Sequence, residues 1–186
     1  MWPWEHLVFG YLLFSGAAHL VGGRAPGDRA AVVLAVATQL PDLIDKPLGW
    51  VVGVLPAGRS LGHSLLFFAA LFLAAWAVER WLGARLARGA LVVGYLSHLV
   101  GDVVYPVVLG KDLSAGFLLW PLVPAESGGV TGVVLHVSDL WTAYAAYLLS
   151  TAGGLALLLE LSFLVAGFVV WLADGAPGIP RPSVAG

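Results

Sequence analysis

The chain is predicted to be all-α, a polytopic transmembrane helical bundle of about five spans with a broken second helix. Hydrophobic residues make up 60% of its 186 residues and charged residues 11%, against about 25% charged in soluble domains. Long apolar stretches separate the charges, and several can cross roughly 30 Å of hydrocarbon at 1.5 Å per residue. We expect one transmembrane domain over residues 1–174 and a flexible, Pro- and Gly-rich tail over 175–186.

The net charge and the absence of cysteine limit the partners and the metal ligands that the chain can have. The net charge of −2 gives no indication of a nucleic-acid partner. Because there is no cysteine, disulfides and thiolate ligands are excluded, and any metal must be held by His and carboxylates. The N-terminus lacks the basic region of a cleaved signal peptide, and Glu5 lies where a positive charge is expected, so the first apolar segment is predicted to be a retained span.

The first two spans follow from the gaps between charged residues. Residues 6–23 carry no formal charge and form one predicted span. Residues 30–58 are interrupted by a polar group flanked by Pro41 and Pro47. We therefore predict that the second helix breaks at a non-helical elbow, residues 41–47, which faces protein because unpaired backbone groups are costly in hydrocarbon.

The remaining spans follow in the same way. Residues 60–78 and 89–110 each predict one span, although the second contains a His and an Asp. Residues 117–122 contain Trp and Pro and predict an interfacial or re-entrant element in a loop. Residues 140–173 are interrupted only by Glu160 and predict a single long tilted helix.

The basic residues predict the orientation in the plasma membrane. With the N-terminus outside and the C-terminus inside, the inner side holds Arg24, Arg29, Arg80, Arg85, Arg88 and Arg181, and the outer side holds only Lys46, Arg59 and Lys111. This orientation gives a similar depth, between mid-membrane and the outer face, to Asp42, Asp45, His63, His98 and Asp102. His19 is expected nearer the inner end of the first helix.

His98 and Asp102 are the strongest candidate ligands. Their i, i+4 spacing places both side chains on one face of a helix, where they could bind a metal ion. A carboxylate at this depth costs about 2.5–3.5 kcal/mol on insertion scales. The alternative is a His–Asp hydrogen bond that holds two helices together. His63 is expected to converge with this pair, since all three lie at one depth.

A family resemblance adds to these expectations. Five segments occur in order: Ala18-His19-Leu20, Leu40-Pro41-Asp42-Leu43-Ile44-Asp45, Arg59-Ser60-Leu61-Gly62-His63-Ser64-Leu65-Leu66, Gly94-Tyr95-Leu96-Ser97-His98-Leu99-Val100-Gly101-Asp102 and Leu118-Leu119-Trp120-Pro121-Leu122. With them the chain resembles the YdjM-like family of membrane-bound, metal-dependent hydrolases. More distantly, its HxxxD pattern is similar to that of the zinc-dependent phospholipase C and P1 nuclease group. Asp45 comes one residue later than the family's second Asp, and Gly58 replaces a common His.

The resemblance implies a hydrolytic site that contains one or two divalent ions, with zinc as the expected metal. Its metal ligands would be His19, Asp42, His63, His98 and Asp102, and a carboxylate free of metal, Asp42 or Asp45, would be the base. The depth of the site suggests a membrane lipid or another amphiphile as substrate. The distant similarity favours a phosphoester bond, with a carboxylic ester or amide as the alternative. Arg59 is either a phosphate clamp or a headgroup-level anchor. His136 and Asp139 are expected on a surface loop, and Glu160 is given no role.

Two other classes of function remain open at this stage. The same buried His and Asp residues could form a proton- or cation-coupled transport pathway. They could also form a non-catalytic metal site that only staples the helices together. An open coordination position beside a lateral gap would favour the enzyme, and a polar path to both faces would favour transport. Homo-oligomerisation stays open, and no nucleic-acid partner is expected.

Overall fold

The computed structural model describes residues 1–83, 86–108, 112–125 and 133–180, without the side chains of residues 133, 134, 136, 151 and 152. These residues confirm the all-α prediction. The α-helices are α1 (Pro3–Gly22), α2 (Asp28–Lys46), α3 (Leu65–Leu82), α4 (Arg88–Val108), α5 (Val133–Leu148) and α6 (Thr151–Ala173). Among the described helices, three are long and apolar enough to cross a membrane, at Leu65–Leu82, Arg88–Val108 and Gly153–Ala173.

Helices α1, α2 and α4 form the centre of the fold, with α2 and α4 packed most extensively against each other. Small residues allow this close approach. A Cβ atom added at Gly10 would lie 2.5 Å from Thr38 Cγ2, and one added at Gly94 would lie 2.9 Å from the Leu34 carbonyl oxygen. The backbones are therefore in contact at the level where the polar residues of α4 begin.

Gly94→Val should destabilise this packing. The added atoms would meet the backbone of α2, which cannot rotate away, so we expect the free energy of unfolding to fall by about 1–3 kcal/mol. Thermal unfolding in detergent measures this change. Gly16→Val is the matched control, because a Cβ at Gly16 would meet nothing within 4 Å. Equal melting temperatures for the two variants would contradict this account of the packing.

The predicted non-helical elbow at residues 41–47 is wrong. Helix α2 continues through Pro41 to Lys46, and a π-helical segment, Pro47–Val52, follows it directly. Asp42 and Lys46 form an i, i+4 ion pair across the last turn of α2, which supports helical geometry there. The expected break is thus a change of helix type at Pro47, which has no N–H to donate.

The predicted single helix over residues 140–173 is also wrong. The Tyr144 hydroxyl donates to Glu160 Oε2 at 2.6 Å, whereas one continuous helix would separate these residues by about 24 Å. The chain turns between α5 and α6, and Ser150 caps α6 by accepting from the N–H of Gly153. Residues 133–139 are accordingly helical, not a loop. Asp139 is exposed on α5, and the His136 side chain lies outside the described residues.

Candidate metal centre

Four parts of the chain bring His and Asp side chains to one place. They are the start of α1, the end of α2, the loop before α3 and the middle of α4, which contribute His6, Asp42, Asp45, His63, His98 and Asp102. His98 and Asp102 lie one turn apart on the buried face of α4, as their spacing predicts. The sequence-distant Asp42 and His63 join them.

The loop before α3 fixes the position of His63. Ser64 caps α3 by accepting from the N–H of Leu66 at 3.1 Å, and the same hydroxyl donates to the carbonyl of Trp120 at 2.5 Å. On the other side of His63, the Tyr95 hydroxyl donates to the carbonyl of Gly62. Because both neighbours of His63 are held, its imidazole is fully buried in a defined orientation.

Each of the two carboxylates brings an oxygen close to both imidazole Nε2 atoms. His63 Nε2 lies 3.1 Å from His98 Nε2, 3.2 Å from Asp102 Oδ2 and 3.6 Å from Asp42 Oδ1. His98 Nε2 lies 3.8 Å from an oxygen of each carboxylate. Ligands bonded to tetrahedral zinc at about 2.0–2.2 Å would be about 3.3–3.6 Å apart. The separations are therefore close to those expected for a small divalent cation bound by both imidazoles and one of the two carboxylates.

The hydrogen bonds of both imidazoles favour a cation at this position. His98 Nδ1 lies 2.7 Å from the carbonyl of Thr38, and His63 Nδ1 lies 2.8 Å from Asp45 Oδ2. These oxygens only accept, so we assign the ring protons to Nδ1, which leaves a lone pair on each Nε2. Two lone pairs 3.1 Å apart repel each other unless a positive charge lies between them. Such orienting partners are typical of metal-binding histidines.

Positive charge at His63 is favoured electrostatically as well. Its Nδ1 lies 2.8 Å from Asp45 Oδ2 and its Nε2 lies 3.2 Å from Asp102 Oδ2, so a carboxylate lies on each side of the ring. A metal ion at Nε2 would balance the negative charge of Asp102.

Asp45 is placed to orient His63 and the loop before it. Its carboxylate is fully buried and accepts from the backbone N–H groups of Ser60 (2.6 Å), Gly62 (2.7 Å) and His63 (3.2 Å), in addition to His63 Nδ1. These four donors occupy both oxygens. The role of Asp45 as the general base stays a prediction, and these contacts favour a role in orienting His63.

A cavity of about 630 Å³ opens beside the cluster. Asp42 and Asp102 reach it from the cluster, and Lys46 and Arg59 also line it. The remaining wall is mostly apolar and includes Trp50, Leu113, Phe117, Val123, Pro124 and Leu140. The site thus combines carboxylates, cations and an apolar surface in one accessible space.

The model of the YdjM inner membrane protein family matches residues 1–176. The chain belongs to this family. The match confirms the resemblance stated from the sequence motifs and agrees with the three candidate spans. No curated protein and no solved structure matches the chain.

His6 is a member of the cluster that sequence reasoning missed in this YdjM-family chain. Its ring is 1% exposed and stacks on His98, with centroids 3.7 Å apart. Its Nε2 lies 3.2 Å from Asp102 Oδ1, although neither ring nitrogen has a well-aligned hydrogen bond among the described residues. The available signal was Gly10, one turn further along α1, which marks the face that packs closely on α2 and α4.

His19 does not belong to the cluster of this YdjM-family protein, so its assignment as a ligand there is wrong. It follows His6 by 13 residues on α1, which separates them by about 20 Å. His19 Nε2 lies 2.7 Å from Asp174 Oδ1, and Tyr11 and Ser15 donate to Asp174 Oδ2. Burial raises the pKa of Asp174, but these hydrogen bonds outweigh it and hold the pKa below its ordinary value. This group fastens α1 to the end of α6.

Proposed function

We propose that the protein is a membrane-embedded, metal-dependent hydrolase that acts on a lipid or another amphiphilic ester or phosphoester. The observation that carries the proposal is the pair of oriented Nε2 atoms of His63 and His98, 3.1 Å apart. Carboxylates flank the pair on the side of the cavity. Family membership supports a membrane location, and the activity itself is our inference from this geometry.

In the proposed site, His63, His98 and Asp102 hold one divalent ion, for which zinc suits the nitrogen and oxygen donors. When bound, such an ion acidifies water and polarises the bond to be cleaved. Asp42 lines the cavity and accepts the proton, with Lys46 paired to its other oxygen. Asp45 and the Thr38 carbonyl keep the two imidazoles in the ligating tautomer. The alternative is a site with two ions, of which the second lies beside His6.

The proposed topology has about five spans, with the N-terminus outside and the C-terminus inside. Hydrogen bonds pair the start of α1 with α6 through Trp4 and Glu160, and the end of α1 with α6 through His19 and Asp174. The two helices therefore run parallel, which supports termini on opposite sides. In this orientation the cavity lies towards the outer face, where a lipid can enter sideways.

Hydrolysis by the reconstituted protein tests the proposal. We expect release of product from phospholipid or ester-containing vesicles, its loss on addition of a chelator, and its return when zinc is restored. Tight metal binding without cleavage of any such lipid would contradict the proposal. Dissipation of a cation gradient in the same vesicles would then favour the transport alternative.

The Asp42→Asn variant shows whether Asp42 is a general base or a metal ligand. If Asp42 accepts the proton, the variant should retain bound metal while turnover falls about 10²–10⁴-fold, the usual contribution of a general base. Metal content and turnover are measured on the same preparation. Loss of the metal together with turnover would instead identify Asp42 as a ligand. Asp112→Asn is a control, because Asp112 does not line the cavity and is exposed.

A further inference from the structure

Arg59 has a defined position although its side chain is exposed. The N–H of the next residue, Ser60, donates to Asp45 at 2.6 Å, which fixes the backbone beside Arg59. The guanidinium lies over the ring of Phe117, with Cζ 5.2 Å from the ring centroid. Phe117 in turn contacts the ring of His63, edge to face, with centroids 5.9 Å apart. Arg59 is thereby tied to both the orienting carboxylate and the proposed metal ligand.

Arg59 has different charged neighbours from Lys46, another cation that lines the cavity. Lys46 forms an ion pair with Asp42. Within residues 1–83, 86–108, 112–125 and 133–180, Arg59 forms no ion pair with a carboxylate. Its guanidinium lies over Phe117 and its side chain is exposed, so its N–H groups are available as hydrogen-bond donors to a ligand in the cavity.

We propose that Arg59 binds the phosphate group of an amphiphile whose chain lies along the apolar wall of the cavity. The guanidinium fork matches two phosphate oxygens, and a phosphate monoester has a third unesterified oxygen that remains to face the His–Asp cluster. A carboxylate has only two oxygens, so once both bind the guanidinium none is left to face the His–Asp cluster. Leu113, Val123 and Leu140 provide the apolar wall. As the substrate class of the hydrolase, this inference rests on the proposed function, but binding itself does not require turnover.

Calorimetric titration of zinc-loaded protein in nanodiscs tests the assignment with a pair of chain-matched probes. Dodecylphosphonate carries the anion and resists hydrolysis, and dodecanol has the same chain without it. Arg59→Gln should weaken dodecylphosphonate binding about ten- to a hundredfold, the usual effect of losing hydrogen bonds to a charged group. The loss of dodecanol affinity should be at least about tenfold smaller. Arg59→Lys should restore only part of the affinity, because the fork is lost.

Arg80→Gln is the matched control. Arg80 also lies over an aromatic ring, with Cζ 5.6 Å from the Trp76 centroid, but it does not line the cavity. Unchanged phosphonate binding in Arg59→Gln, or equal losses in both Gln variants, would overturn the assignment. If inorganic phosphate binds as tightly as dodecylphosphonate, the alkyl chain contributes nothing, and the proposal that the ligand is an amphiphile is contradicted. Phosphonate binding that depends on Arg59, in a protein that cleaves no lipid, would support this site while contradicting the hydrolase.

Discussion

His98→Ala should remove both the bound metal and the hydrolytic activity. His98 belongs to both three-residue groups able to hold an ion, Asp42 with His63 and His6 with Asp102. Its loss removes one nitrogen ligand and opens the packing against His6. Since a catalytic metal contributes several kcal/mol of transition-state stabilisation, activity should fall about a thousandfold or more. Elemental analysis and lipid hydrolysis measure the two losses.

His19→Ala is the matched control for this prediction. His19 is also on an apolar helix and pairs with an Asp, but its partner is Asp174 and it lies about 20 Å from His6. The variant should retain the metal and the activity, with only a loss of stability. Equal metal content in His98→Ala and the unmodified protein would contradict the proposed ligand set.

Asp45→Asn should weaken metal binding without removing a ligand. The carboxylate accepts four hydrogen bonds from buried N–H groups. The NH₂ group of an Asn side chain cannot accept a hydrogen bond, so some of these donors would lose their partner. Removing an orienting partner of a metal-bound His typically costs ten- to a hundredfold in affinity, about 1.4–2.7 kcal/mol. The unpaired buried groups should lower the free energy of unfolding by about 1–3 kcal/mol as well.

Competition titration with a chelator of known affinity measures the first effect, and thermal unfolding measures the second. Asp139→Asn is the control, because Asp139 is exposed on α5 and should affect neither. Unchanged metal affinity in Asp45→Asn would show that Asp45 does not orient His63. Loss of stability alone would leave Asp45 with a role in the loop only.

The sequence predicted the meeting of Asp42, His63, His98 and Asp102 because polar groups in hydrocarbon need partners. The i, i+4 pair, in a segment with no other charged residue, located the site on α4, and the common depth of the others followed from the gaps between charged residues. The same reasoning could not show which of the two histidines of α1, His6 or His19, belongs to the cluster. Both lie on α1 in apolar surroundings, and only the packing of α1 against α4 shows which one faces the cluster.

The two wrong helix predictions, the elbow at residues 41–47 and the single helix over residues 140–173, also have local causes. Pro41 was expected to end the second helix, but the helix keeps its geometry where the Asp42–Lys46 pair supports its last turn. Apolar composition alone could not show a short turn between α5 and α6, since the residues on both sides are equally hydrophobic. Ser150 was the local signal, because its side chain caps the first turn of α6.

The position of the metal is the most direct test of the central claim. Crystals of zinc-loaded protein, measured at the zinc absorption edge, should give an anomalous difference peak between His63 Nε2 and His98 Nε2. The peak should lie about 2.0–2.2 Å from both nitrogens and from an Asp102 oxygen. A peak at His19 and Asp174 instead, or no peak at the cluster in zinc-containing crystals, would contradict the account.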